Sequence, residues 1–332
     1  MKKLAACCPL LLAGCGTLAS PAEIDDGLPH AKAGPFRPLR PGETDSSVTG
    51  HSAPIIAERE RNRFRSPAAL DVDGDPSTLP IWLYAVEGDE DASNIVRFVA
   101  EDGRSVSRRF EVVVSGADEG GAHAPSALRV DGEVWLYYGT PSGLARRKSS
   151  DGLSFGSPEP VTVSGMACVT RSDVTVVRMP SGRFHLFAAE GDILCEAVSD
   201  DGVAFTSVEG DGIVFRAADL PFTESLGLGH VTLDHPFAMT ATSAEGRLVT
   251  RVYFTGTGED GTSFLGLAAR YGESGPLVSA VAPVLRGEGS PREPTVLTFA
   301  NFSLVYFTRD SGGRDPFHAL AAGVAPATVK LD

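Results

Sequence analysis

Five times along this chain a pair of short apolar stretches recurs, joined by a turn-forming segment. They are Ala68 to Val72 with Ile81 to Val86, Ser126 to Val130 with Val134 to Tyr138, Val174 to Met179 with Phe184 to Ala188, Phe237 to Thr242 with Val249 to Thr255, and Thr295 to Phe299 with Ser303 to Thr308. The stretches are rich in β-branched and aromatic residues, and turns such as Asp131-Gly132 or Pro180-Ser181-Gly182 mark them as hairpin strands. A similar tripeptide opens each unit: Arg65-Ser66-Pro67, His123-Ala124-Pro125, Arg171-Ser172-Asp173, Asp234-His235-Pro236 and Arg292-Glu293-Pro294. These tripeptides return at intervals of roughly 50 to 60 residues, the signature of a repeat architecture.

A second marker places two more strands in each unit. Ser149-Ser150-Asp151-Gly152-Leu153-Ser154-Phe155 is echoed by Ser199-Asp200-Asp201-Gly202-Val203-Ala204-Phe205, and more weakly by Glu101-Asp102-Gly103 and Tyr271-Gly272-Glu273. Asp-Gly between alternating strands is a hairpin signal. Five units of four antiparallel strands make an all-β, five-bladed β-propeller. Little chain remains after His318, so one strand of the last blade is expected from the segment before Arg65, closing the ring and hiding its edges. A β-sandwich is the competing reading, but it does not require five equivalent tripeptides at near-regular spacing.

The amino-terminal segment carries a different message. Lys2 and Lys3 precede an apolar stretch from Leu4 to Ala13, too short to span a membrane, which ends in Leu12-Ala13-Gly14-Cys15. These residues resemble the lipobox of bacterial lipoproteins. The resemblance implies a signal peptide over residues 1–14, acylation of Cys15, and anchoring to the bilayer through several acyl chains. Residues 15–52, rich in Pro, Gly, Ser and Asp, read as a lipidated tether, and 53–332 as the propeller. The expected location is the cell envelope, with the domain periplasmic or extracellular. Gly16 after the Cys favours the outer membrane by resemblance to enterobacterial lipoproteins. The formal net charge of -14 becomes -16 once Lys2 and Lys3 are removed, which argues against nucleic acid as a partner. Cys7 and Cys8 leave with the signal, so Cys168 and Cys195 either pair or stay as two buried thiols; spacing does not decide.

The opening tripeptides and the Ser-x-Asp-Gly-x-x-Phe hairpins together resemble the five-bladed propellers of the glycosidase superfamily that contains glycoside hydrolase families 43, 32, 62 and 130. The resemblance covers roughly Arg65 to Ala322 and implies a sugar pocket on the axis, faced by the opening residues of each blade. Ligand-binding candidates are therefore Arg65, His123, Arg171, His235 and Arg292. The family's pattern has an Asp opening the first blade as base, an Asp opening the second, and a Glu opening the third as acid. The corresponding places here hold Ser66, Ala124 and Ser172. Hydrolysis needs paired carboxylates, for which the candidates are Asp173, Asp234, Glu293, Glu87 and Glu190. Arg65, Arg171 and Arg292 at one position in three blades converge on the axis, and such guanidinium groups repel unless an anion or carboxylates lie between them. Asp71-Val72-Asp73-Gly74-Asp75 resembles the start of a calcium loop, but Pro76 and Trp82 stand where Gly and Glu are required, so Asp71, Asp73 and Asp75 are a weak calcium candidate.

Two functions follow as expectations. The first is a lipid-anchored, glycoside hydrolase-like propeller, monomeric, acting on or binding an acidic glycan. The second is a non-catalytic scaffold for a protein or polysaccharide. An open pocket holding two carboxylates about 5 to 10 Å apart favours the first, and a plugged funnel the second.

Overall fold

A computed structural model describes residues 33–38, 64–72, 81–88, 92–100, 110–168, 173–243, 246–287, 290–299, 303–310 and 318–325. The described chain is mostly strand, arranged as five blades of four or five strands around an axis; pairing within each blade is antiparallel, and one parallel pair joins blades 2 and 3 into a single sheet. Blade 5 contains the first strand, β1 (Arg37–Pro38). Blade 1 is β2 (Phe64–Asp71), β3 (Ile81–Glu87), β4 (Asn94–Ala100) and β5 (Glu111–Val114). Blade 2 is β6 (His123–Val130), β7 (Glu133–Thr140), β8 (Gly143–Ser149) and β9 (Glu159–Ser164). Blade 3 is β10 (Val174–Arg178), β11 (Phe184–Glu190) and β12 (Ile193–Ser199), with β13 (Ala204–Ser207) and β14 (Ile213–Arg216) both pairing on β12. Blade 4 is β15 (Thr232–Thr242), β16 (Leu248–Thr257) and β17 (Ser263–Tyr271), edged by β18 (Val278–Ser279) and β19 (Leu285–Arg286). Blade 5 is completed by β20 (Arg292–Thr298), β21 (Ser303–Asp310) and β22 (His318–Ala325).

The ring closes as expected, by a strand from before Arg65: Arg37 and Pro38 pair antiparallel with Val324 and Gly323. This corrects the expected extent of the tether. Ala33 and Phe36 are buried against Tyr253, Leu265 and Val296, so residues 33–38 belong to the folded body. Their proline-rich neighbourhood hid a strand only two residues long.

Each blade interface has its own apolar cluster, which explains why the strands read as nearly continuous apolar runs: both faces of a blade are covered. In β3, Ile81, Leu83 and Ala85 face blade 5, while Tyr84 faces blade 2. The register repeats this arrangement in every blade. Tyr84, Tyr137, Phe187, Tyr253 and Tyr306 stand opposite Ala68, Ser126, Thr175, Phe237 and Thr295, and all five rings are fully buried. Burial of each stabilises the fold by about 2 to 3 kcal/mol.

The Asp-Gly hairpins serve these interfaces. The Tyr84 hydroxyl donates to the Gly152 carbonyl and that of Tyr137 to Gly202, each at 2.8 Å across to the next blade. A Cβ on Gly152 would lie 2.2 Å from Trp82, and one on Gly202 2.6 Å from the Tyr137 hydroxyl, so the glycines are required by close packing as well as by φ of +66° and +72°. Asp201 caps its turn by accepting from the Val203 and Ala204 amides, which together with the Ser199 hydroxyl hold its pKa at about 2. Cys168 and Cys195 are joined by a disulfide with Cα atoms 6.0 Å apart, tying the segment before blade 3 to β12.

Candidate functional site

The inner strands open onto the axis through a β-bulge. Ser66, Ala124, His235 and Glu293, the middle residues of their tripeptides, have φ of +49°, +42°, +44° and +55°, and in each of the four blades the ladder slips by one residue there. Left-handed backbone at non-glycine residues is costly, and bulges re-aim side chains beside functional sites. The register corrects the reading of blade 3. Thr175 faces Phe187 as Ser126 faces Tyr137, so the residue equivalent to Ser66, Ala124, His235 and Glu293 is Asp173, not Ser172. Blade 3 lacks the proline that marks the frame in the others. Arg171 and Ser172 lie outside the described residues.

These five equivalent residues, with Arg65 and His123, line a pocket of about 360 Å³ at one mouth of the axis. His235 is its centre. Nε2 lies 3.1 Å from Asp173 Oδ1 and 3.2 Å from Glu293 Oε1, and Nδ1 lies 3.0 Å from Asp234 Oδ2. Burial works against charge on His235, but Glu293, Asp173 and Asp234 outweigh it and raise its pKa well above 6.5, so the ring is an imidazolium at neutral pH. Burial likewise opposes ionisation of Glu293, yet its pKa is lowered by His235, the Thr308 hydroxyl, the Ser66 amide and Arg65. The Ser66 amide donates to Glu293 Oε2 at 2.6 Å and Thr308 donates to the same oxygen. The Glu293 amide donates to Thr255 Oγ1 at 2.8 Å, fixing the strained backbone from blade 4. Asp173 and Glu293 contact one nitrogen, which keeps those oxygens within about 6 Å of each other, near the separations used in glycoside hydrolysis.

The remaining candidates fall around this centre. His123 lines the pocket, and its Nδ1 is 3.1 Å from Ser93 Oγ. Since Ser93 gives its own hydrogen to the Ala122 carbonyl, this contact places the His123 proton on Nδ1. Arg292, Glu87 and Glu190 are not in the pocket lining. Glu87 closes β3 at the end adjoining Arg65, and its pKa is raised by burial against a hydrogen bond from Asn94. Glu190 is exposed. Asp71 lies on β2, while Asp73 and Asp75 lie outside the described residues. Among the described residues the metal-ligating atoms that gather within 4.8 Å are instead those of Asp173, Asp234 and His235. They do not fit calcium well: it prefers six or more oxygen ligands, and here both imidazole nitrogens face carboxylates, so the proton already supplies the balancing charge.

Sequence reasoning missed Thr308, Thr255 and Ser93. The threonines lie two residues before the ends of second strands, opposite tripeptide residues, Thr308 facing Arg292 and Thr255 facing Asp234, a position that could have been searched. Ser93 carried no local signal. It is held where Gly116 passes so close that a Cβ there would lie 2.1 Å from the Ser93 carbonyl.

No protein-family model matches the chain, and neither does any curated protein. Solved structures do. A family-43 enzyme from Xanthomonas citri complexed with xylotriose is 15% identical with a TM-score of 0.58, covering 84% of this chain and 92% of its own. The catalytic domain of a GH62 α-L-arabinofuranosidase from Coprinopsis cinerea is 14% identical with a TM-score of 0.58, covering 90% and 98%. An endo-arabinase from Bacteroides thetaiotaomicron VPI-5482 is 14% identical with a TM-score of 0.54, covering 81% and 95%. At these identities the likeness establishes the fold: the chain is a β-propeller of the kind found in glycoside hydrolase families 43 and 62.

Proposed function

We propose that the axial pocket binds one end of a glycan. The observation that carries this reading is the convergence of Asp173 and Glu293 on His235 in an open cavity that Arg65 and His123 also line. Carboxylate oxygens at such a cavity accept from hydroxyl donors, which sugars supply in number. Arg65 and His123 add donors for ring or acidic oxygens. An acidic glycan is the preferred ligand in this reading, its anionic group lying at Arg65. Arrays of acidic and neutral glycans probed with the whole chain test it: acidic glycans should give the stronger signal, and Arg65→Ala should remove that preference. In this reading the protein acts as a monomer.

Hydrolysis is a second reading, favoured by Glu87, whose raised pKa suits an acid, near a pocket in which Glu293 is held ionised. The family's first two carboxylate places hold Ser66 and Ala124, which is why binding ranks first. Release of nitrophenol from aryl pentosides, abolished in Glu293→Gln, would reverse that order.

Anchoring belongs to the same proposal. Among the described residues no helix is long and apolar enough to cross a membrane. Lipid on Cys15 would hold the pocket at the cell envelope. Wild type should partition into detergent and Cys15→Ala should not.

A further inference from the structure

Blade 3 departs from the repeat at the residue it sends to the pocket. In the other four blades the first residue of the opening tripeptide is itself paired with the second strand: Arg65 with Val86, His123 with Gly139, Asp234 with Thr255 and Arg292 with Thr308. The bulged middle residue is thus held by the ladder on both sides. In blade 3 the inner strand begins at Val174, one residue beyond Asp173, and among the described residues no bulge or left-handed residue marks its entry.

The disulfide stands at the same level. Only four residues separate Cys168 from Asp173. Cys195 on β12 and Val174 on β10 pair with the same residue of β11, Ala188, from its two sides. Cys168 Sγ lies 3.8 Å from the Ala188 carbonyl oxygen, and both half-cystines are buried. The chain entering blade 3 is therefore fixed where its ladder stops. Asp173 sits between two anchors, the disulfide before it and the Val174 pair after it, with Oδ1 3.1 Å from His235 Nε2.

We propose that the Cys168–Cys195 disulfide is a positioning element of the axial pocket, holding the Asp173 carboxylate against His235 as the paired first residue steadies the bulge in the other blades. Its effect on ligand rests on the glycan reading above; its effect on the pocket does not.

NMR titration of the His235 ring in the whole chain reads the Asp173 contact without any ligand. In Cys168→Ala/Cys195→Ala the midpoint should fall by at least about one pH unit as a carboxylate leaves Nε2, and Asp173→Asn should lower it likewise. Added to Asp173→Asn, the cysteine substitutions should lower it no further, because no carboxylate remains to be misplaced. A disulfide that only stabilised the fold would change the melting temperature and leave the midpoint alone. Should the cysteine variant fail to fold, two glycines inserted directly after Cys168 keep the disulfide but slacken the span to Asp173, and must lower the midpoint in the same way. An unchanged midpoint in the folded cysteine variant or in the glycine insertion overturns the proposal. So does an equal further fall when the cysteine substitutions are added to Asp173→Asn. Calorimetry with glycan separates the two readings. If wild type binds, the cysteine variant should bind at least about tenfold more weakly, and equal affinity overturns the proposal. A wild type that binds no glycan sinks the glycan reading alone, and the His235 titration still decides the role of the disulfide.

Discussion

His185, between blades 3 and 4, meets one carboxylate, whereas His235, at the axis, meets three. The difference separates a structural cluster from a binding one. His185 Nδ1 lies 2.5 Å from Glu196, and Arg270 donates to both oxygens of the same carboxylate at 2.7 and 2.5 Å. All three side chains are below 5% exposed, and the Glu196 pKa is lowered because these partners outweigh the effect of its burial. Nothing else can approach. His185 is thus a buried strut. His235 keeps 22% exposure, and Asp173 and Glu293 beside it line a cavity. Closure stabilises a blade interface, while openness to a cavity makes a site.

Substitutions at the two clusters should therefore fail in different ways. The largest effect on stability is expected for Glu196→Ala, which leaves a buried guanidinium uncompensated and should cost about 3 to 5 kcal/mol by denaturant unfolding. His235→Ala should cost less, since water can reach the exposed carboxylates, but should abolish glycan binding in calorimetry. If the two variants lose equal stability, the contrast between the clusters is wrong.

The pH response sharpens the contrast further. The His235 pKa is raised on folding, so its contribution is complete below about 6.5 and fades as pH rises through its higher folded value. Glu196 and Glu293 have lowered values, so their contributions are present above the ordinary 4.5 and are lost as pH falls through the folded values. Ligand affinity should decline on the alkaline side, and His235→Ala should remove the alkaline limb of the stability profile. The smallest change is expected for Thr308→Val, which deletes one donor to Glu293 and should cost about 1 kcal/mol in melting experiments, with binding weakened only several-fold.

Much of this was legible before any coordinates. Four of the five tripeptides marked their bulges correctly because proline follows the left-handed residue and fixes the frame. Blade 3 lacks that proline, so the frame read from sequence is one residue off, and the third-blade position of the pattern holds Asp173 rather than a hydroxyl. The Asp-Gly hairpins were visible as turns, but not as the close contacts that Gly152 and Gly202 make with the neighbouring blade, which depend on Trp82 and Tyr137 far away in sequence. The ring of arginines was expected on equivalence alone. Every middle residue or its equivalent lines the pocket, whereas of the first residues Arg65 and His123 do and Arg292 does not, so equivalence of position alone does not bring a side chain to the axis. The Glu196 cluster had no signal, since its partners come from two strands of blade 3 and one of blade 4.

The central claim is that the carboxylates around His235 receive a glycan, and Asp173→Asn tests it most directly by replacing one acceptor with an amide of nearly the same shape. Calorimetric titration of wild type and variant with the glycan that gives the strongest array signal should show saturable binding by wild type. Asp173→Asn should weaken it at least about tenfold while the melting temperature of the free protein changes little. Equal affinity in the two proteins, or no saturable binding of any acidic or neutral glycan by wild type, would contradict the account.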